Sequence, residues 1–190
     1  MTHKFNPQHK SKLKSSERTK ILPPSKILKI AGVQEGDVFI DIGCGIGFFS
    51  FPAAELVGHE GKVYALDTSH EMITALKEEI SNKEFKNVHP IITKEYDFHL
   101  EDGTGDIAFM SAVLHEVKDK GTFLMAAKRV LRPGGRVAIV EWKKEETENG
   151  PPVGHRIDQH DVVELLEESG FTNIKSLELN QQIYIVLGDR

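Results

Sequence analysis

The chain has a single cysteine, Cys44, among its 190 residues. No intramolecular disulfide can form and no Cys-cluster metal site can be built, which suits a reducing cytoplasm. No apolar run approaches the ~20 residues that span a bilayer, so membrane insertion is not expected. Met1 to Lys20 carries six Lys or Arg but no apolar core segment, so it does not read as a secretory signal. Excess positive charge is also missing. A formal net charge of -5 works against the counterion release that drives tight polyanion binding, which makes nucleic acid a disfavoured partner. None of the three tyrosines (Tyr64, Tyr96, Tyr184) starts a Tyr-x-x-x-Lys pair, which argues against an NAD-dependent oxidoreductase. The histidines are scattered. His155 and His160 are five apart, off the i,i+4 spacing that puts two ligands on one helix face, so no metal site is expected.

What is present is an alternation of periods. The first thirty residues form a basic arm with Lys4, Phe5, Lys10, Lys12, Lys14, Arg18 and Lys20, then short helical patterns at Glu17–Leu22 and Ser25–Ile30 around Pro23-Pro24. We expect this arm, residues 1–30, to lie over a core formed by residues 31–190, and its first helix is a candidate lid. From Val38 onward, β-rich runs at Val38–Ile42, Lys62–Leu66, Val88–Ile92, Asp106–Met110 and Arg136–Glu141 alternate with helical stretches at Phe48–Val57, Ser69–Ser81 and Asp119–Leu131. Such alternation implies βαβ units and a parallel sheet. After the Gly150-Pro151-Pro152 loop, a helix is expected at Gln159–Ser169 behind the cap Asp158. Asn173–Leu179 and Gln182–Leu187 then read as a terminal hairpin. The predicted fold is α/β: a doubly wound, mostly parallel seven-stranded sheet with a C-terminal antiparallel hairpin, helices on both faces and a short helical N-terminal arm.

Directly after the first strand comes Asp41-Ile42-Gly43-Cys44-Gly45-Ile46-Gly47. Glycines let backbone amides approach a ligand closely, and a helix N-terminus favours a negative group. The spacing is GxGxG, where the dinucleotide fingerprint is GxGxxG. Asp41 ahead of the loop suits a ligand ammonium group. The second strand ends at Asp67, where a carboxylate at the strand's carboxyl edge can accept the hydroxyls of a ribose. Cys44, at the start of a helix, reads as a small packed residue.

Two further segments complete the pattern: Asp106 to Glu116, where a strand runs toward a helix through Ser111-Ala112-Val113-Leu114-His115-Glu116, and Leu131-Arg132-Pro133-Gly134-Gly135 before the next strand. Taken together, D-x-G-x-G-x-G, the strand-end Asp67, the L-H-E segment and L-R-P-G-G resemble class I methyltransferases that use S-adenosylmethionine. The resemblance is greatest to the small-molecule branch with the ubiquinone/menaquinone-biosynthesis C-methyltransferases, and covers roughly Pro24 to Leu187. It implies S-adenosylmethionine as cofactor, with Gly43, Gly45 and Gly47 under its homocysteine portion, Asp67 on the ribose, Ser111-Ala112 near its amino group, and Cys44 and Thr68 in the same cofactor site. Many relatives place an acid shortly after the third strand to meet the adenine amino group. Lys94 stands there in this chain, and the neighbouring Glu95 is the candidate. DNA amino-methylation is not implied, because Pro151-Pro152 follows Gly150 and precedes Val153, with no Asn/Asp-Pro-Pro-aromatic motif.

The candidate catalytic residues sit at the same sheet edge. His115 follows the fourth strand as a possible general base, Glu141 ends the fifth, and His155 lies in the loop beyond Pro152, within reach of an acceptor pocket. The expected reaction is in-line displacement onto a small-molecule acceptor. The alternative is a non-catalytic S-adenosylmethionine-binding module that acts through a protein partner.

Overall fold

A computed structural model describes residues 16–190; Lys4, Phe5, Lys10, Lys12 and Lys14 of the basic arm lie outside the described residues. Seven strands form one sheet: β1 (Val38–Ile42), β2 (Lys62–Asp67), β3 (Val88–Ile92), β4 (Gly105–Ser111), β5 (Leu131–Trp142), β6 (Thr172–Glu178) and β7 (Ile183–Asp189). Their spatial order is β3-β2-β1-β4-β5-β7-β6. The first five are parallel, while β7 runs antiparallel to both β5 and β6. Strands buried on both faces read as near-continuous apolar runs, as Val38-Phe39-Ile40-Asp41-Ile42 does, with successive side chains entering opposite core layers. Phe39 belongs to one layer, and Ile40 and Ile42 to the other.

The first layer lies under α2 (Pro24–Ala31), α3 (Ser50–Val57) and α4 (His70–Lys83); the second lies under α5 (Lys120–Val130) and α6 (Gln159–Glu168). Ile27, Leu28 and Ala31 of α2 are fully buried, so the second arm helix is part of the core. Ahead of it, α1 (Ser16–Ile21) is short. The caps follow the sequence pattern: Ser69 Oγ accepts from Met72 N, Asp119 from Thr122 N and Asp158 from His160 N. No helix joins β3 to β4. Residues 93–104 cross the sheet as a loop, and the buried Phe98 covers the second layer by packing edge-on against Phe123 with ring centres 5.4 Å apart.

Strand β5 is longer than the predicted Arg136–Glu141. Leu131 already pairs with Gly105, and Arg136 then pairs with Ile107, so the Arg132-Pro133-Gly134-Gly135 turn bulges out of the strand. At Gly135 a Cβ would lie 2.9 Å from the Arg132 carbonyl and 3.0 Å from that of Asp106, which leaves room only for glycine. The hairpin closes the sheet, and the buried Tyr184 hydroxyl donates to the Ile157 carbonyl at 2.8 Å.

The aromatic centre of the first layer makes the fold testable. Phe109 sits 5.5 Å from the Phe39 ring and 4.7 Å from that of Phe49. Truncation to alanine is expected to remove about 3–5 kcal/mol of stability. Urea unfolding checks this as a lower midpoint at unchanged slope; a loss under about 1 kcal/mol would mean that the layer is not packed around Phe109.

Candidate active site

Strand β1 lies inside the sheet, where the strand order reverses between β2 and β4, and doubly wound sheets bind ligands outside the carboxyl ends at such a point. There the chain turns through Gly43, Gly45 and Gly47, all left-handed at φ 74°, 55° and 88°. The Gly43 and Cys44 N–H groups donate to the Leu66 carbonyl at 2.8 and 2.9 Å, tying the loop to β2. A Cβ on Gly43 would meet Val113 at 2.5 Å, and one on Gly47 would meet Leu76 and Phe51 at 2.7 Å. Helix α3 begins at Ser50 rather than Phe48, because residues 45–49 complete the turn first. Cys44 is buried, and burial pushes its thiol well above the usual range, with the charges of Asp41 and Asp67 adding to the rise. A thiolate nucleophile is thereby disfavoured.

Two carboxylates frame this loop. Asp41 is buried and accepts from Ser50 Oγ at 2.6 Å. Burial lifts it to about 7 against that hydrogen bond; the negative charge of Asp67 adds to the rise and the Arg18 guanidinium opposes it. Asp67 receives the Gly45 N–H on one oxygen at 2.9 Å and the Ser69 N–H on the other at 2.8 Å. Burial raises its pKa, opposed by the Ser69, Gly45 and Thr68 amides. Thr68 itself is exposed beside it. The Thr93 N–H donates to the Asp67 carbonyl at 3.0 Å, so the chain after β3 passes this site. Glu95 turns toward the Lys118 amide at 3.5 Å, while Lys94 pairs through its backbone with Asp97.

Beyond β4 the structure departs from the expected helix: Leu114–Glu116 forms one 3-10 turn. Ser111 ends the strand, and its hydroxyl is buried with no hydrogen-bond partner among the described residues. Ala112 follows at φ 56°, its N–H bonded to the Val140 carbonyl at 2.8 Å. Because Ser111 pairs with Val140, the ends of β4 and β5 lie side by side and bring His115 to Glu141. His115 Nδ1 is 2.8 Å from Glu141 Oε2, and the His115 backbone N–H donates to Oε1 at 3.2 Å. Glu141 is 1% exposed, so this is a buried pair. Burial alone lowers the pKa of His115, but the hydrogen bond and charge of Glu141, helped by Glu116, outweigh it and leave the pKa raised.

His155 lies on the 3-10 turn Val153–His155. It shares with His115 a cavity of about 560 Å³ also lined by Lys120, Lys144, Ile157 and Leu165. The glycine loop is not part of that lining. Two residues outside the predicted set matter here. Arg156 is buried and donates to the carbonyls of Pro151, Lys143, Glu145 and Asn149 and to Thr147 Oγ1, which shapes the loop after β5. Arg18 places its guanidinium carbon 4.4 Å from the centre of the Phe48 ring. Nothing in the spacing of either arginine marks it, because its partners come from distant or irregular segments.

Residues 34–170 match the family model described as a methyltransferase domain. The chain belongs to this methyltransferase family. A structure of an S-adenosylmethionine-dependent methyltransferase from Aquifex aeolicus superposes with a TM-score of 0.94 at 34% identity, covering 98% of this chain and 99% of that one. The demethylmenaquinone methyltransferase of Bacillus mycoides is 32% identical over 114 residues, 60% of this chain and 48% of that protein. The ubiquinone/menaquinone biosynthesis C-methyltransferase UbiE of Teredinibacter turnerae is 32% identical over 120 residues, 63% of this chain and 48% of that protein. The methyltransferase chain thus spans about half the length of the curated relatives it matches. S-adenosylmethionine is the family's cofactor, and the residues present fit it: two carboxylates at a glycine loop and a buried serine hydroxyl with hydrogen-bonding capacity to spare. Among the described residues no His, Cys, Asp and Glu cluster can hold a metal ion, and no helix is long and apolar enough to cross a membrane.

Asp41 gives the site a pH signature. Its value of about 7 in the folded chain lies above the usual 3.8, so the folded state holds the proton more tightly than the unfolded state. Stability therefore falls as pH rises from about 4 to about 7, and the deficit persists above that. Asp41→Asn keeps an acceptor for Ser50 without the charge. Thermal unfolding of the unliganded variant should gain roughly 2–4 kcal/mol on the wild type between pH 4 and pH 8; parallel curves would refute the assignment.

Proposed function

We propose that this chain transfers the sulfonium methyl of S-adenosylmethionine to a small-molecule acceptor in the cytoplasm, with His115 as the general base. The hydrogen-bonded pair of His115 Nδ1 and the buried Glu141, 2.8 Å apart, carries the reading. When bound, the cofactor supplies a methyl group already activated for in-line displacement. The protein's task is then mainly to hold donor and acceptor aligned, and such positioning supplies ~7–11 kcal/mol of barrier reduction.

In this reading Asp41 receives the donor's ammonium group, Gly43, Cys44, Gly45 and Gly47 form the bed of its amino-acid portion, and Ser111-Ala112 border the same end. Asp67, with Thr68 beside it, accepts the ribose hydroxyls, and Glu95 is the acid available to the adenine amino group. The Glu141 carboxylate keeps the proton on Nδ1 of a neutral His115 and leaves Nε2 as the basic atom. It also stabilises the cation formed when Nε2 takes a proton from the acceptor. His155 lines the cavity that His115 enters, which supports an acceptor-orienting role. The buried single cysteine supports a cytoplasmic setting.

Incubation with methyl-labelled donor and a metabolite extract should yield a labelled small molecule by mass spectrometry; failure with every acceptor fraction, despite donor binding, would sink the catalytic reading. Against the true acceptor, His115→Ala should lower kcat by about 10²–10⁴ at unchanged donor affinity. A base must be deprotonated to act, and the pKa of His115 is raised, so the rising limb of the pH–rate profile should lie above the ordinary histidine range. Glu141→Gln should shift that limb to lower pH. At the other end of the site, Asp67→Ala should weaken donor binding at least tenfold by calorimetry, since each hydrogen bond to a charged group contributes ~1.5–3 kcal/mol.

A further inference from the structure

Helix α1 is tied to the rest of the protein by contacts at its C-terminal end. The Leu22 side chain that follows it is buried in the first core layer. The Ile21 carbonyl accepts from Asn180 Nδ2 at 2.8 Å, a contact with the turn between β6 and β7. One turn earlier, the Arg18 guanidinium lies over the ring of Phe48, in the turn that leaves the glycine loop. A guanidinium over an aromatic face is attracted by the negative face of the ring. Arg18 is also close enough to Asp41 for each charge to act on the other, although burial of the guanidinium works against it. A cation from α1, seated over Phe48 next to Gly47, and a carboxylate from β1, 23 residues apart in sequence (41 − 18), are therefore within electrostatic reach of each other.

An α-amino acid presents an ammonium and a carboxylate on one carbon. A carboxylate–guanidinium pair is its complement, and guanidinium is the group that receives a carboxylate with two parallel hydrogen bonds. We propose that Arg18 is a donor-binding residue that receives the α-carboxylate of the S-adenosylmethionine amino-acid end while Asp41 receives the α-ammonium. This rests on the donor reading above. It makes α1 part of the cofactor site and gives the site a means of selecting ligands that carry a complete zwitterionic tail.

Calorimetry with two ligands separates this role from a merely structural one. S-adenosylhomocysteine carries the whole amino-acid tail, and 5′-methylthioadenosine lacks it while keeping the adenosine. Arg18→Gln should weaken S-adenosylhomocysteine at least tenfold and change 5′-methylthioadenosine less than twofold, and Arg18→Lys should recover part of the loss. Equal weakening of both ligands, or no weakening of the first, overturns the proposal. If Arg18→Gln does not fold, Arg18→Lys carries the same comparison: it should lose affinity for S-adenosylhomocysteine alone, and an equal loss for both ligands overturns the assignment. Wild-type protein that binds 5′-methylthioadenosine but not S-adenosylhomocysteine overturns Arg18's role while leaving an adenosine site. Wild-type protein that binds neither removes the donor reading itself.

Discussion

The structure depends on the confinement of β1 between two parallel neighbours inside the sheet. Burial on both faces makes the strand apolar, and its pairing with β2 on one edge and β4 on the other fixes where its carboxyl end emerges. At that end the chain must turn sharply enough to give two amides to Leu66 and still enter α3, which demands three left-handed residues within five positions. Glycine is required there because side chains from elsewhere in the fold, Val113 beside Gly43 and Leu76 and Phe51 beside Gly47, occupy the space that a Cβ would need. The glycine loop is thus set from both directions, by backbone conformation and by packing behind it.

The electrostatics of the site follow from the same confinement. Asp41 and Asp67 are drawn close to one loop and away from water, so burial raises both, and the charge of Asp67 adds to the rise at Asp41. An unliganded site of this kind favours a cation, and Arg18 on α1 already serves Asp41 in part. At the far end of the crevice the balance differs. Glu141 is almost completely buried yet hydrogen-bonded to both the ring and the backbone of His115, so burial strengthens a fixed pair instead of leaving a charge isolated. The protein therefore has an acid held near neutrality at the glycine loop and a histidine with raised basicity at the carboxyl ends of β4 and β5.

The chain between β5 and α6 is irregular. Loops carry function when a rigid scaffold positions them, and here the scaffold acts through one side chain: Arg156 gathers four carbonyls and a hydroxyl from residues 143–151 and lies 5.8 Å from the Trp142 ring. That loop leads to His155 and the cavity it shares with His115.

Much of this was legible in the sequence. Alternation of strand and helix periods, the caps Ser69 and Asp158 and the GxGxG loop after a strand are local signals, because a strand's burial, a helix cap and a left-handed turn are each decided by residues a few positions apart. Strand positions, the glycine loop, the strand-end acid Asp67 and the resemblance to methyltransferases all come from such signals. Tertiary structure alone decided the rest. The pairing of His115 with Glu141 depends on β4 and β5 lying in register, and in the crossing at residues 93–104, where no helix lies, Phe98 reaches the core by packing against Phe123 from a distant helix. Arg18 beside Asp41, and Arg156 among the carbonyls of its loop, follow no period, because charge interactions act through space between segments whose approach no local pattern records.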